Sequence, residues 1–479
     1  MATANNAERS LRLVSKAAKI VEHFTSAHPS VTERMQKGKA LRANIPRSSL
    51  ADYAAPEKRR DPVAILEEQA RTRLPQLVPV RYARMLASPF AFLRGGAAIM
   101  AQDLSPSPVT GIFVQACGDM HVANFGVFAS AERNLVFGIN DFDETLPGPW
   151  EWDLKRLVAS AVVAGRFVGA DRESCESFSR AVVSAYRRHI REYAETGYLA
   201  TWYATIREND LLNAVAGNMR RRRVEKYLAK AKKGTHLQVL EKMTDLVDNK
   251  QRIVESAPFV VRESHTQQGT PIKKALGVFL EQYLASLSPD RRILISRYQI
   301  MDVARKVVGV GSVGTRCWVA FMQGLDNRDP LFLQLKEAQP SILARYLKAP
   351  VFENQGFRVV SGQRLIQGAP DILLGWGTVE GINFYVRQLR DMKGGYEFDP
   401  KSSRVEGIQT YCALCGWALA LAHAKSGDAA MIAGYAGKSE ALDDALTKFA
   451  FAYAEQNERD YEQLQKAART HRVKVSKVA

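Results

Sequence analysis

Cysteine is scarce and odd in number. Cys117, Cys175, Cys317, Cys412 and Cys415 are spread over 479 residues, which excludes a dense disulfide framework and fits reduced thiols. Cys412 and Cys415 form a C-x-x-C, but it lies inside a helical pattern without a second pair. It reads as small buried apolar residues rather than a metal or redox site. Long apolar runs are missing too. No stretch approaches the ~18 uninterrupted apolar residues of a membrane span, and the richest, Leu157–Ala170, is broken by Arg166. Met1–Arg9 is polar, with no apolar core of a signal peptide. No transmembrane segment is expected, and the location expected is cytoplasmic. Internal repeats are absent. Acidic residues are outnumbered, 50 against 67 basic, for a net charge of +17. Such a field attracts polyanions, from nucleotides to nucleic acid, without choosing among them.

What remains is an ordinary globular balance, 46% hydrophobic and 24% charged, long enough for two or three domains or one two-lobed fold. Helical periodicity is read over Ala7–Phe24, Asp61–Arg73, Val78–Leu104 and from Trp152 to about Glu195. Pro46–Pro62 reads as a linker or surface wrap. Gly111–Cys117 and Asn134–Asn140 read as short strands. Further on, Arg316–Met322, Leu331–Leu335, Ile372–Val379 and Ile382–Leu389 read as strands too. After Asp399 the chain turns helical: Val405, Ile408, Cys412, Cys415, Leu419 and Ala422 fall on one face. A last helix covers about Glu440–Ala468, before a basic tail from Arg469 to Ala479. Arg220–Lys233 is dense in Arg and Lys; such a run is a solvated helix face or, less often, a phosphate- or nucleic-acid-binding surface.

The chemistry concentrates in Cys117-Gly-Asp-Met-His-Val-Ala-Asn124, followed by Ile139-Asn-Asp-Phe-Asp-Glu144 and Trp152-Asp-Leu154. Phosphoryl transfer needs an Asp beside the attacking hydroxyl and an Asn five residues on that reaches a magnesium ion. It also needs a second Asp, on a neighbouring strand, holding that ion against the phosphates. Asp119, Asn124 and Asp141 have that order and offset. A metallophosphoesterase reading of Asp119-Met-His121 needs further His and Asn ligands, and none of the eight histidines has the required context.

The glycine-rich segment comes late. Val308-Gly-Val-Gly-Ser-Val-Gly-Thr315 leads into Arg316–Met322 and then Leu331-Phe-Leu-Gln-Leu-Lys336. Its glycines let backbone N–H groups approach phosphate oxygens. Strand alternation sets Lys336 on the face of Phe332 and Gln334, opposite Leu331, Leu333 and Leu335.

G-D-x-H-x-x-N, then I-x-D-F-D, then W-D-L resembles the aminoglycoside phosphotransferase and choline kinase branch of the kinase-like superfamily. The resemblance implies Asp119 as catalytic base and Asn124 and Asp141 as Mg²⁺ ligands. Asp143, at a more variable acidic position, is counted with them, and Asp153 braces the loop. His121 shapes the loop; Cys117 stands where that branch often has His. ATP would meet Gly309, Gly311, Ser312, Gly314 and Lys336. A Glu partner for Lys336 is expected, with Glu353 and Glu337 as candidates and Gln363 as the alternative that would weaken catalysis.

The chain as a whole, over roughly residues 45–465, resembles the bacterial family catalogued as domain of unknown function 2252. The stretches that carry this are Ser88–Gly95, Cys117–Gly126, Asn140–Glu144, Trp152–Leu157, Arg305–Thr315, Leu333–Ala338 and Phe451–Asp460. Arg94 and Lys155 lie within them, as phosphate binders or ion-pair partners. Together these readings give an α+β, two-lobed kinase-like fold, circularly permuted. Residues 1–75 would form a helical extension and 76–300 a large helical lobe with the catalytic loop and metal strand. Residues 301–395 would form a small β-rich nucleotide-binding lobe, and 396–479 helices packing on the large lobe. Asp391–Gly395 would act as a hinge, and the helix Val405–Ala424 would stand in for the one preceding the catalytic loop. The expected activity is ATP- and Mg²⁺-dependent transfer to a small molecule, with nucleotidyl transfer a variant. The alternatives are a nucleotide-binding pseudoenzyme or a polyanion-binding protein.

Overall fold

Strand-forming runs between residues 260 and 388 assemble into one six-stranded antiparallel sheet in the computed structural model, which describes residues 20–477 apart from 23, 54, 56, 57, 216, 235, 248, 249, 349, 390 and 391. The strands are β6 (Val260–Val261), β7 (Gln299–Lys306), β8 (Cys317–Gln323), β9 (Pro330–Glu337), β10 (Gly375–Val379) and β11 (Ile382–Gln388), in the order β10-β11-β9-β8-β7-β6. Leu331, Leu333 and Leu335 of β9 pack with Phe279 and Tyr283 of the helix Ile272–Ser286 on one face. Phe332 packs with Val319 and Phe321 on the other. That second face also carries Gln334 and Lys336, as the alternation of a strand requires.

A second, four-stranded sheet holds β2 (Phe125–Ala129) and β3 (Leu135–Ile139), flanked by β5 (Ile206–Arg207) and β12 (Gly394–Gly395). Beside it β1 (Phe113–Ala116) pairs with β4 (Leu146–Pro149). These strands sit on a helical core. Helix α6 (Trp150–Phe167) is buried almost all round, as befits a central helix. Around it lie α7 (Arg172–Glu195), α11 (Val405–Ser426), α12 (Ala429–Ala436) and α13 (Ala441–Arg469). Two helix pairs approach closely enough to need glycine. A Cβ on Gly416 of α11 would stand 2.2 Å from Val182 O of α7, and one on Gly434 of α12 would stand 2.1 Å from Met35 O of α1 (Val31–Ala40).

The protein is thus mixed α+β with several sheets. Several expectations change in detail. The helical stretch from Trp152 to Glu195 divides at Gly169, where φ is +78°, and Asp171 accepts from Ser174 N to cap the new helix. Pro46–Pro62 is no loose wrap: Leu50 is fully buried, Tyr53 packs edge-on against Phe449 and Tyr453, and Arg59 pairs with Asp103 and Asp460 at 2.6 Å each. The most membrane-like described helix by length and composition is α11 rather than Leu157–Ala170, and just over half of its apolar window is buried inside the fold. Most of the expected helix Ala7–Phe24 lies outside the described residues, as do Asp391 and the last two residues of the tail. Arg220–Lys233 falls on a helix, Asn218–Lys233, with Arg221 beside Glu225 and Lys232 beside Glu208.

The α7–α11 crossing gives a direct stability expectation. Gly416→Ala forces the two backbones apart and lowers the free energy of unfolding by about 1–3 kcal/mol, read from urea denaturation. A wild-type midpoint would contradict the crossing.

Candidate functional site

The acidic loop between β1 and β2 is held by three neighbours. Cys117 N and Gly118 N donate to the two carboxylate oxygens of Asp153, at 2.6 and 2.9 Å. Asp153 is 2% exposed and sits in the first turn of α6. His423 Nε2 lies 3.5 Å from the same carboxylate, and His423 Nδ1 is 2.8 Å from Tyr186 OH. Val122 N donates to Ser160 Oγ, and Tyr411 OH of α11 donates to Val122 O and Phe125 O. Gly118 adopts φ +82°, and a Cβ there would stand 2.7 Å from Glu144 O. The loop is therefore a rigid shelf. On it Asn124 Nδ2 donates to Asp119 O at 2.7 Å, and Arg156 of α6 reaches Asp119 Oδ1 through Nε at 2.8 Å and Nη2 at 2.5 Å.

The six-stranded sheet presents Lys336 to this shelf. Its Nζ lies 2.6 Å from Asp143 Oδ2 and 3.8 Å from Asp141 Oδ1, across 193 residues of sequence, and the side chain is 3% exposed. Tyr385 OH donates to Asp143 Oδ1 at 2.5 Å and Ser312 Oγ to Asp143 Oδ2 at 3.2 Å. The glycine-rich segment forms the turn joining β7 and β8, so its mouth opens over the acidic residues. Behind them, α10 (Gln355–Ile366) supplies Arg358, whose guanidinium donates to Asp143 O, Thr145 O and Gln339 O. A cavity of ≈ 110 Å³ results, lined by Asp119, Asn124, Asp141, Asp143, Gly309, Gly311 and Ser312, among others.

Its charges are unevenly satisfied. Burial pushes the Asp143 carboxyl up, but Lys336 and Tyr385 outweigh it and hold the group ionised below the usual range. Burial raises Asp119, opposed by Arg156. Burial pushes His121 well down, helped by Arg94 and Arg156, and keeps it neutral. Glu144 is pushed up to about 7 by burial, although Ile342 N donates to it. Asp141 Oδ1 is buried and has no hydrogen-bond partner among the described residues. Lys336 Nζ, at 3.8 Å, is too far to hydrogen-bond it, so the oxygen is open to a further electropositive partner.

All the sequence-predicted site residues except Gly314 and Lys336 line this cavity, and Lys336 touches it through Asp143. Gly314 packs on the cavity-lining Arg73 instead, whose Cβ is 3.0 Å from where its own Cβ would be. Asp143, expected among metal ligands, has both oxygens engaged by protein donors. No glutamate pairs with Lys336 among the described residues. Glu337, adjacent on β9, binds Arg316 at 3.0 Å instead, and Glu353 is exposed. Gln363 lies on α10 and donates to Gln367. Lys155 is remote, its Nζ 4.5 Å from the Phe449 ring centroid. Among the described residues no three His, Cys, Asp or Glu side chains could hold a metal by themselves. Sequence reasoning missed Tyr385 and Arg387. Strand alternation was the usable signal, since β9 and β11 pair Lys336 with Tyr385 and Gln334 with Arg387. It also missed Arg156, one turn beyond Asp153 on α6.

The family model for "Uncharacterized protein conserved in bacteria (DUF2252)" matches residues 73–467. The chain belongs to that family. The match runs from Arg73 to the end of α13 and so spans both the acidic loop and the sheet that carries Lys336. No curated protein and no solved structure matches the chain.

Glu144 yields a pH expectation. Its carboxyl rises from 4.5 to about 7 on folding, so the folded state binds the proton more tightly. Stability is lost as pH rises through that window. Glu144→Gln removes the loss: relative to wild type, its unfolding free energy climbs between pH 4.5 and 7 by up to about 3 kcal/mol. Parallel pH profiles of the two proteins would contradict the buried carboxyl.

Proposed function

We propose that this protein is an ATP- and Mg²⁺-dependent phosphotransferase acting on a small molecule, on a two-lobed kinase-like fold with permuted chain order. The observation that carries the reading is the buried Lys336–Asp143 contact beneath the glycine-rich turn. It joins the two motif sets that phosphoryl transfer requires, a lysine strand with its turn and an Asp/Asn loop with its second acid. The succession of strand, glycine-rich turn, strand, lysine strand, helix, strand and strand over residues 299–388 supports the small-lobe assignment. The same elements precede the acidic loop in an unpermuted kinase and follow it here. Residues 392–395, where β12 pairs with β2, serve as the connection.

The donor set fits a magnesium site. Asp141 offers an unpartnered carboxylate oxygen, and Asn124, its nitrogen engaged, offers its amide oxygen. Magnesium held there by Asp141 and Asn124 would offset the charge of the nucleotide phosphates. Lys336 and the backbone N–H groups of residues 309–312 orient the phosphates. Asp119 receives the acceptor hydroxyl and orients it for in-line attack. Burial raises its basicity against the opposing pull of Arg156, and the two bonds from Arg156 fix the carboxylate's orientation. A cavity of ≈ 110 Å³ is smaller than ligand pockets of about 300–1,000 Å³, so the turn lifts to admit the nucleotide.

One observation favours a second reading, a nucleotide binder without transfer: Asp119 is committed to Arg156, and Lys336 has an aspartate where a glutamate was expected. The two separate by assay. In the transferase reading, ATP with Mg²⁺ is converted to ADP, followed by ³¹P NMR. Asp141→Asn and Lys336→Ala each reduce the rate by roughly 100-fold or more while circular dichroism shows folded protein. Wild-type turnover in both variants overturns the proposal, thermal stabilisation by ATP–Mg²⁺ with no product favours the binder, and AMP as product indicates nucleotidyl transfer.

A further inference from the structure

Three of the acidic groups around the cavity already have close cations. Asp119 has Arg156 at 2.5 Å, Asp143 has Lys336 at 2.6 Å and Glu337 has Arg316 at 3.0 Å. Three arginines of the cavity wall have no paired carboxylate among the described residues. Arg73, Arg81 and Arg94 all line the same cavity, and none has a carboxylate within salt-bridge distance among the described residues. Each has a buried Nε with no hydrogen-bond partner there. Arg81, of α3 (Val78–Met85), is 0% exposed and held only by neutral acceptors, Leu66 O, Gln69 Oε1 and Gly95 O. Arg73 donates one nitrogen to Val313 O. Arg94, of α4 (Pro89–Gly95), donates no hydrogen bond to any described residue; its guanidinium lies 5.9 Å from the Phe90 ring centroid. Burial lowers the pKa of all three, opposed at Arg73 by Glu144 and Glu337 and at Arg94 by Asp119 and Asp141, and reinforced at Arg81 by Arg73.

Burying an uncompensated guanidinium costs several kcal/mol, and three aimed at one polar cavity repeat that cost unless something anionic enters. Planar forks with several N–H donors suit a tetrahedral oxyanion. These arginines adjoin the place proposed for the nucleotide, since Arg73 donates to Val313 O of the turn and Arg94 O lies 3.2 Å from where a Cβ on Gly311 would stand. Lys336 and the turn backbone lie on the sheet side, whereas Arg81 and Arg94 come from helices before the acidic loop, with Arg94 within electrostatic reach of Asp119 and Asp141.

We infer that Arg73, Arg81 and Arg94 form an oxyanion subsite that takes a phosphate group of the acceptor molecule, so that the acceptor is a phosphorylated small molecule. The assignment to the acceptor rests on the phosphotransferase reading; the subsite itself does not. With its phosphate on the arginines, the acceptor's hydroxyl comes to Asp119 and faces the nucleotide across the cavity.

Calorimetric titration with inorganic phosphate at fixed ionic strength tests this. Wild-type protein binds phosphate. Arg94→Gln, which removes no internal hydrogen bond, weakens binding by roughly tenfold or more, and Arg94→Lys recovers part of it. Arg223→Gln, on the exposed basic helix, leaves it unchanged. Saturating Mg²⁺ with a non-hydrolysable ATP analogue leaves phosphate binding in place. The subsite is overturned if wild type binds no phosphate, if Arg94→Gln binds as well as wild type, or if the analogue competes phosphate away. Arg94-dependent phosphate binding in a protein that binds no nucleotide keeps the subsite and overturns the transferase reading instead.

Discussion

The arrangement turns on one buried ion pair. Lys336 reaches from the six-stranded sheet to Asp143 at 2.6 Å, and almost everything that defines the cavity is set relative to it. A lysine this buried is stable as a cation only if its desolvation is repaid by close carboxylates, and Asp143 and Asp141 are those carboxylates. The pair therefore fixes how the sheet stands over the acidic loop. Tyr385 and Ser312 on the same carboxylate, and Arg358 on the same backbone, make the seat specific. The glycine-rich turn is carried along because its strands, β7 and β8, continue the sheet past β9.

The shelf beneath is rigid for a different reason. Its backbone N–H groups are spent on Asp153, a carboxylate in the first turn of a helix with no room to relax, and its carbonyls on Tyr411 of α11. The loop is thus tied to the helical core from both sides, through α6 and α11, whose neighbours close by glycine contacts. Pre-organised polar groups of this kind do electrostatic work without reorganising. The unmet demands of the cavity are of two signs: an oxygen of Asp141 without a hydrogen-bond donor, and three guanidinium groups whose Nε has no acceptor among the described residues. A cation beside one and an anion beside the other would satisfy both.

Much of this was legible in the chain. β1 and β3, and β8 to β11, stood out because short apolar runs bounded by turn residues have few other readings, whereas β2, directly after the acidic loop, did not. The alternation on β9 put Lys336 opposite three leucines, and that is the face it occupies. The motif order indicated that a late glycine-rich segment should meet an early acidic one, and these residues do converge. What was not legible depends on partners distant in sequence. Asp143 looks like a third metal ligand until Lys336, 193 residues away, is found on it. Leu50 and Arg59 looked like linker because their burial is supplied by α13 and Asp460, at the other end of the chain. Arg94 was in view as a phosphate binder or ion-pair partner, but Arg73 and Arg81 pass for surface charge in sequence, since nothing local announces that a guanidinium is buried.

The central claim is that the acidic shelf and the glycine-rich turn grip one nucleotide and its metal between them. A crystal structure with Mg²⁺ and a non-hydrolysable ATP analogue addresses it most directly. The expected result is a metal ion on Asp141 and Asn124, phosphates under residues 309–312, and Lys336 turned from Asp143 towards them. A nucleotide bound on another surface, with the Lys336–Asp143 pair and the turn unchanged, would contradict it.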